Sequence, residues 1–166
     1  MKTTTIILDH NQINQKIRRI AYQIYEANSS EKEVVIAGIQ GNGVYFAEQL
    51  AKYLKLISSL HIILCEVYID KKKPLNPIST SINITEYKNK PIVLVDDVLN
   101  SGTTLMYGIK YFLEVPLKRF KTAVLVNRNH KKYPVKADFK GISLSTSTKE
   151  HVEVVFDKKE SKAFLM

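Results

Sequence analysis

The chain has 166 residues, the length of one ordinary domain, and 45% of them are hydrophobic, enough to build a core of its own. No apolar run approaches the roughly 20 residues that span a bilayer; Met1-Lys2-Thr3-Thr4-Thr5 leads only into Ile6-Ile7-Leu8 before Asp9, which is no leader pattern; and the lone Cys65 excludes an intrachain disulfide and argues against a cysteine-based zinc site. The expectation is one cytoplasmic domain over 1–166, and the formal net charge of +9 favours anionic partners: phosphorylated ligands, nucleic acid or acidic surfaces.

Asp9 and Gln12 read as a helix cap and its reciprocal partner. Ile13, Ile17, Ile20 and Ile24 then recur at helical spacing, and Asn28-Ser29-Ser30 ends the helix. Val34–Ile39 is a short β-branched run, read as a buried strand. Gly41 and Gly43 break it, and Val44, Ala47, Leu50, Ala51 and Leu54 return to helical spacing. Leu60–Tyr68 reads as a second strand. Residues 69–90 hold the turn formers Asp70-Lys71-Lys72-Lys73-Pro74 and Asn76-Pro77, and Ser79–Ile84 alternates like a hairpin arm. The segment reads as a long exposed excursion, and such loops are often functional.

Ile92–Val95 is the strongest buried strand. It runs into Asp96-Asp97, the linker Val98-Leu99-Asn100, the turn Ser101-Gly102-Thr103-Thr104, and a helix through Leu105, Ile109 and Phe112. Ala123–Val126 is a fourth core strand; short β pieces at Gly141–Leu144 and Val152–Phe156 follow, and 157–166 reads as a frayed tail, packed if at all only at its end. Strands alternating with helices predict an α/β fold, a parallel sheet with helices on both faces. Ligands in such sheets sit beyond the carboxyl ends of the strands, which singles out Ile39–Gly43 and Asp96–Thr104.

The second place carries chemistry. Backbone amides at a helix start carry partial positive charge and can hold a phosphate. Ser101, Thr103 and Thr104 add hydroxyl donors, and Gly102 permits close approach of the backbone. Asp96 and Asp97, one turn away, can accept hydrogen bonds from the vicinal hydroxyls of a ribose. Alone, an Asp-Asp pair is most often a solvated strand end, and Ser-Gly-Thr-Thr plain helix capping; their order after an apolar strand is what points to a ribose 5-phosphate. The lysine of a Walker A loop is missing.

Val93 to Thr104, reading VLVDDVLNSGTT, closely resembles the phosphoribosyl-pyrophosphate (PRPP) binding motif of the type I phosphoribosyltransferases. The resemblance extends over roughly Leu8 to Val155 and is greatest to the pyrimidine-operon attenuator/uracil phosphoribosyltransferase family, whose pyrophosphate loop Gly38–Glu48 resembles and whose C-terminal part Val126–His130, Ala137–Phe139 and Ser145–Ser147 resemble. It implies that Asp96 and Asp97 hold the ribose hydroxyls as the catalytic pair, and that Asn100, Ser101, Gly102, Thr103 and Thr104 line the 5-phosphate. Gln40, Gly41 and Asn42 would follow the pyrophosphate, with Mg2+ bound mainly through PRPP and no dedicated protein ligands. Residues 69–90 would be a flexible flap and 127–156 a small hood, with Val126, Asn127 and Arg128 over the base. The resemblance also implies a non-proline cis peptide near Ile39–Gly41 and a homodimer or larger assembly.

Three departures stand out. Relatives usually carry basic side chains where Gln40 and Asn42 stand, Asn127 stands where they usually have Asp, and the flap looks short. Lys71, Lys72 and Lys73 could replace the lost charge, although a lysine run is more often a solvated loop tip. Lys118–Lys140 holds eight basic residues against the one acid Asp138. Arg18, Arg19, Lys131, Lys132, Lys136 and Lys140 match the surface that binds mRNA in the attenuator family, and Arg18, Arg19, Lys131, Lys132 and Lys136 are expected to form one continuous patch; His130 could contact nucleic acid or another subunit, although an ordinary surface histidine is the commoner case. The leading reading is an enzyme that transfers phosphoribosyl from PRPP to a base, with uracil to give UMP. The alternative is a catalytically weak, nucleotide-sensing, RNA-binding regulator of pyrimidine genes.

Overall fold

The computed structural model describes residues 3–166; Met1 and Lys2, at the head of the stretch read above as no leader, lie outside them. Strand β1 (Thr5–Leu8) leads into α1 (His10–Ala27). The Asp9 side chain accepts from the Gln12 N–H at 2.8 Å, and the Gln12 side chain accepts from the Asp9 N–H at 2.9 Å. Ile13, Ile17, Ile20 and Ile24 are all buried, each contributing about 1.5–3 kcal/mol relative to exposure, so the helix is held by the face its spacing predicts.

The main sheet has the order β4-β3-β2-β5-β6-β7. Strands β2 (Glu33–Ile39), β3 (His61–Tyr68), β5 (Pro91–Leu99), β6 (Arg119–Arg128) and β7 (Phe139–Leu144) run parallel, and the two-residue β4 (Ser79–Thr80) pairs antiparallel on β3. Helices α1 and α2 (Asn42–Ile57) pack on one face; α4 (Thr103–Phe112) and Tyr87 of the short α3 (Ile84–Tyr87) pack on the other. From β2 the chain winds outward to β3, and from β5 it winds the other way to β6 and β7. The switch point therefore lies between β2 and β5, where a crevice opens beyond the strand ends. The segments after these two strands are the two that the sequence singles out.

Several expectations are settled or changed. Of the two readings of the tail, packing at its end is the one found: β9 (Lys162–Leu165) lies between β1 and β8 (Val152–Val155) in a second, antiparallel sheet, with Ala163 fully buried. Of the expected hood, β7 and the end of β6 belong to the main sheet, and only β8 joins this small sheet. The excursion at 69–90 is exposed over most of its length, as expected, and is anchored by the buried Ile69 and by the buried Tyr87, the ring of which meets Phe112 edge-on at 5.1 Å. The alternating stretch supplies only the two paired residues of β4, because α3 begins at Ile84. Finally, all peptide bonds of the described residues are trans, and Gly41 makes the turn after β2 at a φ of 92°.

Candidate active site

Strand β5 runs through both acids to Leu99, so Asp96 and Asp97 are held by the sheet itself. Asp96 is only 2% exposed, and its Oδ1 accepts the Asp97 N–H at 2.9 Å. The Lys71 ammonium reaches both of its oxygens, at 3.3 and 3.4 Å. Burial pushes the Asp96 carboxyl up to about 7, the Asp97 charge adds to the rise, and Lys71 opposes it. Asp97 uses Oδ1 to accept the Val98 N–H at 2.8 Å, while its Oδ2 accepts from Asn42 at 2.9 Å.

Asn42 is in reach because α2 starts hard against β5. A Cβ on Gly43 would meet the Val95 carbonyl oxygen at 2.8 Å, so only glycine lets the helix come this close. The Asn42 amide donates a second time, to the Val154 carbonyl at 2.8 Å. This side chain thus ties Asp97 to the small sheet.

The turn after β5 is built as a cradle. Gly102 takes a left-handed φ of 85° as N-cap of α4, and the Ser101 and Thr103 hydroxyls pair at 2.8 Å. Its base is fixed from behind, since the Lys132 and Tyr133 N–H groups donate to the Ser101 carbonyl at 2.7 and 3.1 Å. Arg128 fixes its edge: the buried guanidinium donates to Asn100 at 3.0 Å, to Thr146 at 2.9 Å and to the Glu150 carbonyl at 2.7 Å. Asn127 donates to Ser143 at 3.2 Å, and its buried Oδ1 has no hydrogen-bond partner.

A cavity of about 450 Å³ joins these parts. Asn42, Asp96, Asp97 and the whole stretch Asn100–Thr104 line it, as the sequence predicts. Gln40 and Gly41 are exposed at the turn before α2 and do not line it, and neither do Val126, Asn127 and Arg128. Lys71 and the β8 stretch His151–Val154 complete the wall. Sequence reasoning weighed Lys71 only as one of three loop lysines and missed the β8 stretch, which no local signal marks.

The basic residues come from two elements. Arg18 and Arg19 stand on α1, whose apolar side packs on the face with α2. Lys131, Lys132 and Lys136 belong to the β6–β7 connection, whose Val135 and Ala137 pack on the face with α4. Arg19 donates to the Lys140 and Gly141 carbonyls of β7 at 3.1 and 2.8 Å, and His130 is bonded to the Thr146 carbonyl.

Among known proteins, the phosphoribosyl transferase domain family matches residues 3–159. The bifunctional protein PyrR of Streptococcus thermophilus is 34% identical over 161 residues, covering 94% of this chain and 92% of its own length. That of Clostridium beijerinckii is 32% identical over 162 residues, covering 93% and 91%. Among solved structures, the hypoxanthine phosphoribosyltransferase of Trypanosoma cruzi superposes with a TM-score of 0.76 at 15% identity, over 89% of this chain and 84% of that one. The hypoxanthine-guanine enzyme of Bacillus anthracis gives 0.71 at 20% identity, over 84% and 82%. With its switch-point crevice, its paired acids and its hydroxyl-lined cradle, this chain belongs to the phosphoribosyltransferase family, in the branch of the bifunctional PyrR proteins.

Proposed function

We propose that the chain transfers the phosphoribosyl group of PRPP to a nucleobase, with uracil as the acceptor. The observation that carries this is the single cavity with a carboxylate pair at one end and the Ser101–Thr104 cradle at the other. The carboxylates accept from the ribose 2- and 3-hydroxyls, and the α4 amides and hydroxyls hold the 5-phosphate. Pyrophosphate leaves with the C1–O bonding pair, the base nitrogen forms the new C1–N bond, and the nitrogen's proton goes to solvent. Fixing the ribose at both ends supplies positioning, which is a large part of what such a site can offer.

Mg2+ suits this site as a passenger of the substrate. No cluster of three or more His, Cys, Asp or Glu able to hold a metal occurs among the described residues, and Asp97 spends its oxygens on Val98 and Asn42. The ion would be held mainly by PRPP oxygens near Asp96 and Asp97, where it would neutralise pyrophosphate. The test is pyrophosphate release from PRPP with a panel of bases. Release with uracil and little with purines supports the reading; no PRPP binding and no release with any base overturns it.

A second activity, RNA binding, is favoured by the exposed Lys131, Lys132 and Lys136 and by the bifunctional name of the relatives. Residues 1–166 act as one domain, which assembles as a homodimer or larger. No helix among the described residues is long and apolar enough to cross a membrane, in keeping with a cytoplasmic site of action.

A further inference from the structure

Lys71 is the only lysine or arginine lining the active-site cavity among the described residues. Its loop is wound for this. The Asp70 carboxylate accepts the Lys72 and Lys73 N–H groups at 2.9 and 3.0 Å and the Asn76 amide at 3.2 Å, closing a turn at whose start Lys71 stands. Lys72 and Lys73 remain exposed. The Lys71 side chain is itself 48% exposed, whereas the Asp96 side chain it meets is 3% exposed. Only the carboxylate end of the pair is fully enclosed, so the lysine has an open side toward which it can move.

Two demands meet at this pair. Asp96 is buried beside a second carboxylate and needs a cation or hydrogen-bond donors. A ribose diol brings donors to the same oxygens. The pyrophosphate of PRPP brings negative charge to a wall where Asn42 is neutral and already committed to Asp97 and Val154, and Gln40, at the turn just outside it, is neutral too. Resting on the function proposed above, we propose that Lys71 works in two positions: its ammonium holds Asp96 until the ribose diol displaces it, and it then moves to the pyrophosphate, where it stabilises the leaving group. Lys71 keeps its proton throughout and acts by charge alone. It thereby supplies what the neutral loop residues lack, and its release links ribose binding to stabilisation of the departing pyrophosphate.

The two positions predict effects of opposite sign. Ribose 5-phosphate must evict the lysine and gains nothing from it, so Lys71→Ala should tighten its binding, by about twofold to fivefold for one partly exposed ion pair. Inorganic pyrophosphate should bind more weakly to the same variant, and kcat for pyrophosphate release with PRPP and uracil should fall by roughly tenfold or more. Calorimetry at pH 9, above the titration of Asp96, and steady-state assays would measure these quantities, with Lys72→Ala and Lys73→Ala in parallel. Gln40→Arg should restore part of the rate lost in Lys71→Ala. A parallel weakening of both ligands, an unchanged kcat, or an equal effect from Lys72→Ala or Lys73→Ala overturns the proposal. An Asp97→Asn variant that binds ribose 5-phosphate like the wild type would instead remove the site assignment itself, and the proposal with it.

Discussion

Asp96 lies buried between a second carboxylate and the Lys71 ammonium, and its titration should be visible in two ways. With its carboxyl pushed up to about 7 in the folded protein, from the ordinary 3.8, the folded protein binds the extra proton between those limits. The stability it contributes is present at low pH and lost as pH rises through about 7. Asp96→Asn should therefore gain thermal stability relative to the wild type between pH 5 and pH 8, as unfolding curves at several pH values would record. Ribose 5-phosphate affinity should move the other way in the wild type, rising through pH 7 as the carboxylate forms. A flat difference in both would mean that Asp96 does not titrate in this range. Asp97→Asn should weaken ribose 5-phosphate by tenfold or more, since hydrogen bonds to charged groups are worth about 1.5–3 kcal/mol. These acids and the cradle were legible because they follow one another along the chain. Lys71 was not, because its partner lies 25 residues away and nothing local distinguishes it from Lys72. The structure also narrows the restoration of loop charge to Gln40. Arginine at Asn42 would break the bonds to Asp97 and Val154, so Asn42→Arg should lose activity rather than gain it.

At the level of elements, the long buried strands and the amphipathic helices were readable from apolar spacing alone. The small sheet was not. Strands β1 and β9 have four residues each, too short for a period, and their pairing joins Thr5 to Leu165 across almost the whole sequence. The exposure of 69–90 was legible in its polar turn residues, but the anchoring by Ile69 and Tyr87 was not. The small sheet matters because β8 lines the cavity and receives Asn42. Ala163→Asp would bury an unpaired carboxylate in it, at a cost of several kcal/mol. The expected result is a lower melting temperature together with weaker PRPP binding. The cradle is equally intolerant: Gly102 holds positive φ, and an added Cβ would meet Val135 Cγ1 at 2.3 Å. Gly102→Ala should weaken phosphate binding more than it lowers the melting temperature, since the clash lies within the cradle.

Over the whole molecule, the exposed basic residues come from α1 and from the β6–β7 connection, and variants in each test how RNA binding responds. Each phosphate contact contributes to the salt dependence of affinity. If the β6–β7 connection holds the RNA, a Lys131→Ala, Lys132→Ala, Lys136→Ala variant should lower affinity and flatten the salt slope, while Arg18→Ala changes little. Equal effects from both elements would support one continuous basic surface. Filter binding across a range of salt concentrations distinguishes the two. The charge excess was evident in the sequence, but the face that the β6–β7 connection crosses was not, because it is fixed only once α4 and Val135 pack together.

Arg19 has one further consequence. Strand β7 is the last of the main sheet, and a strand with a free side is a template on which another chain can add. Arg19 occupies the Lys140 and Gly141 carbonyls of that strand. Arg19→Ala would free acceptors there, and the expected defect is slow aggregation on storage rather than loss of activity, as light scattering and turnover measured over days would record.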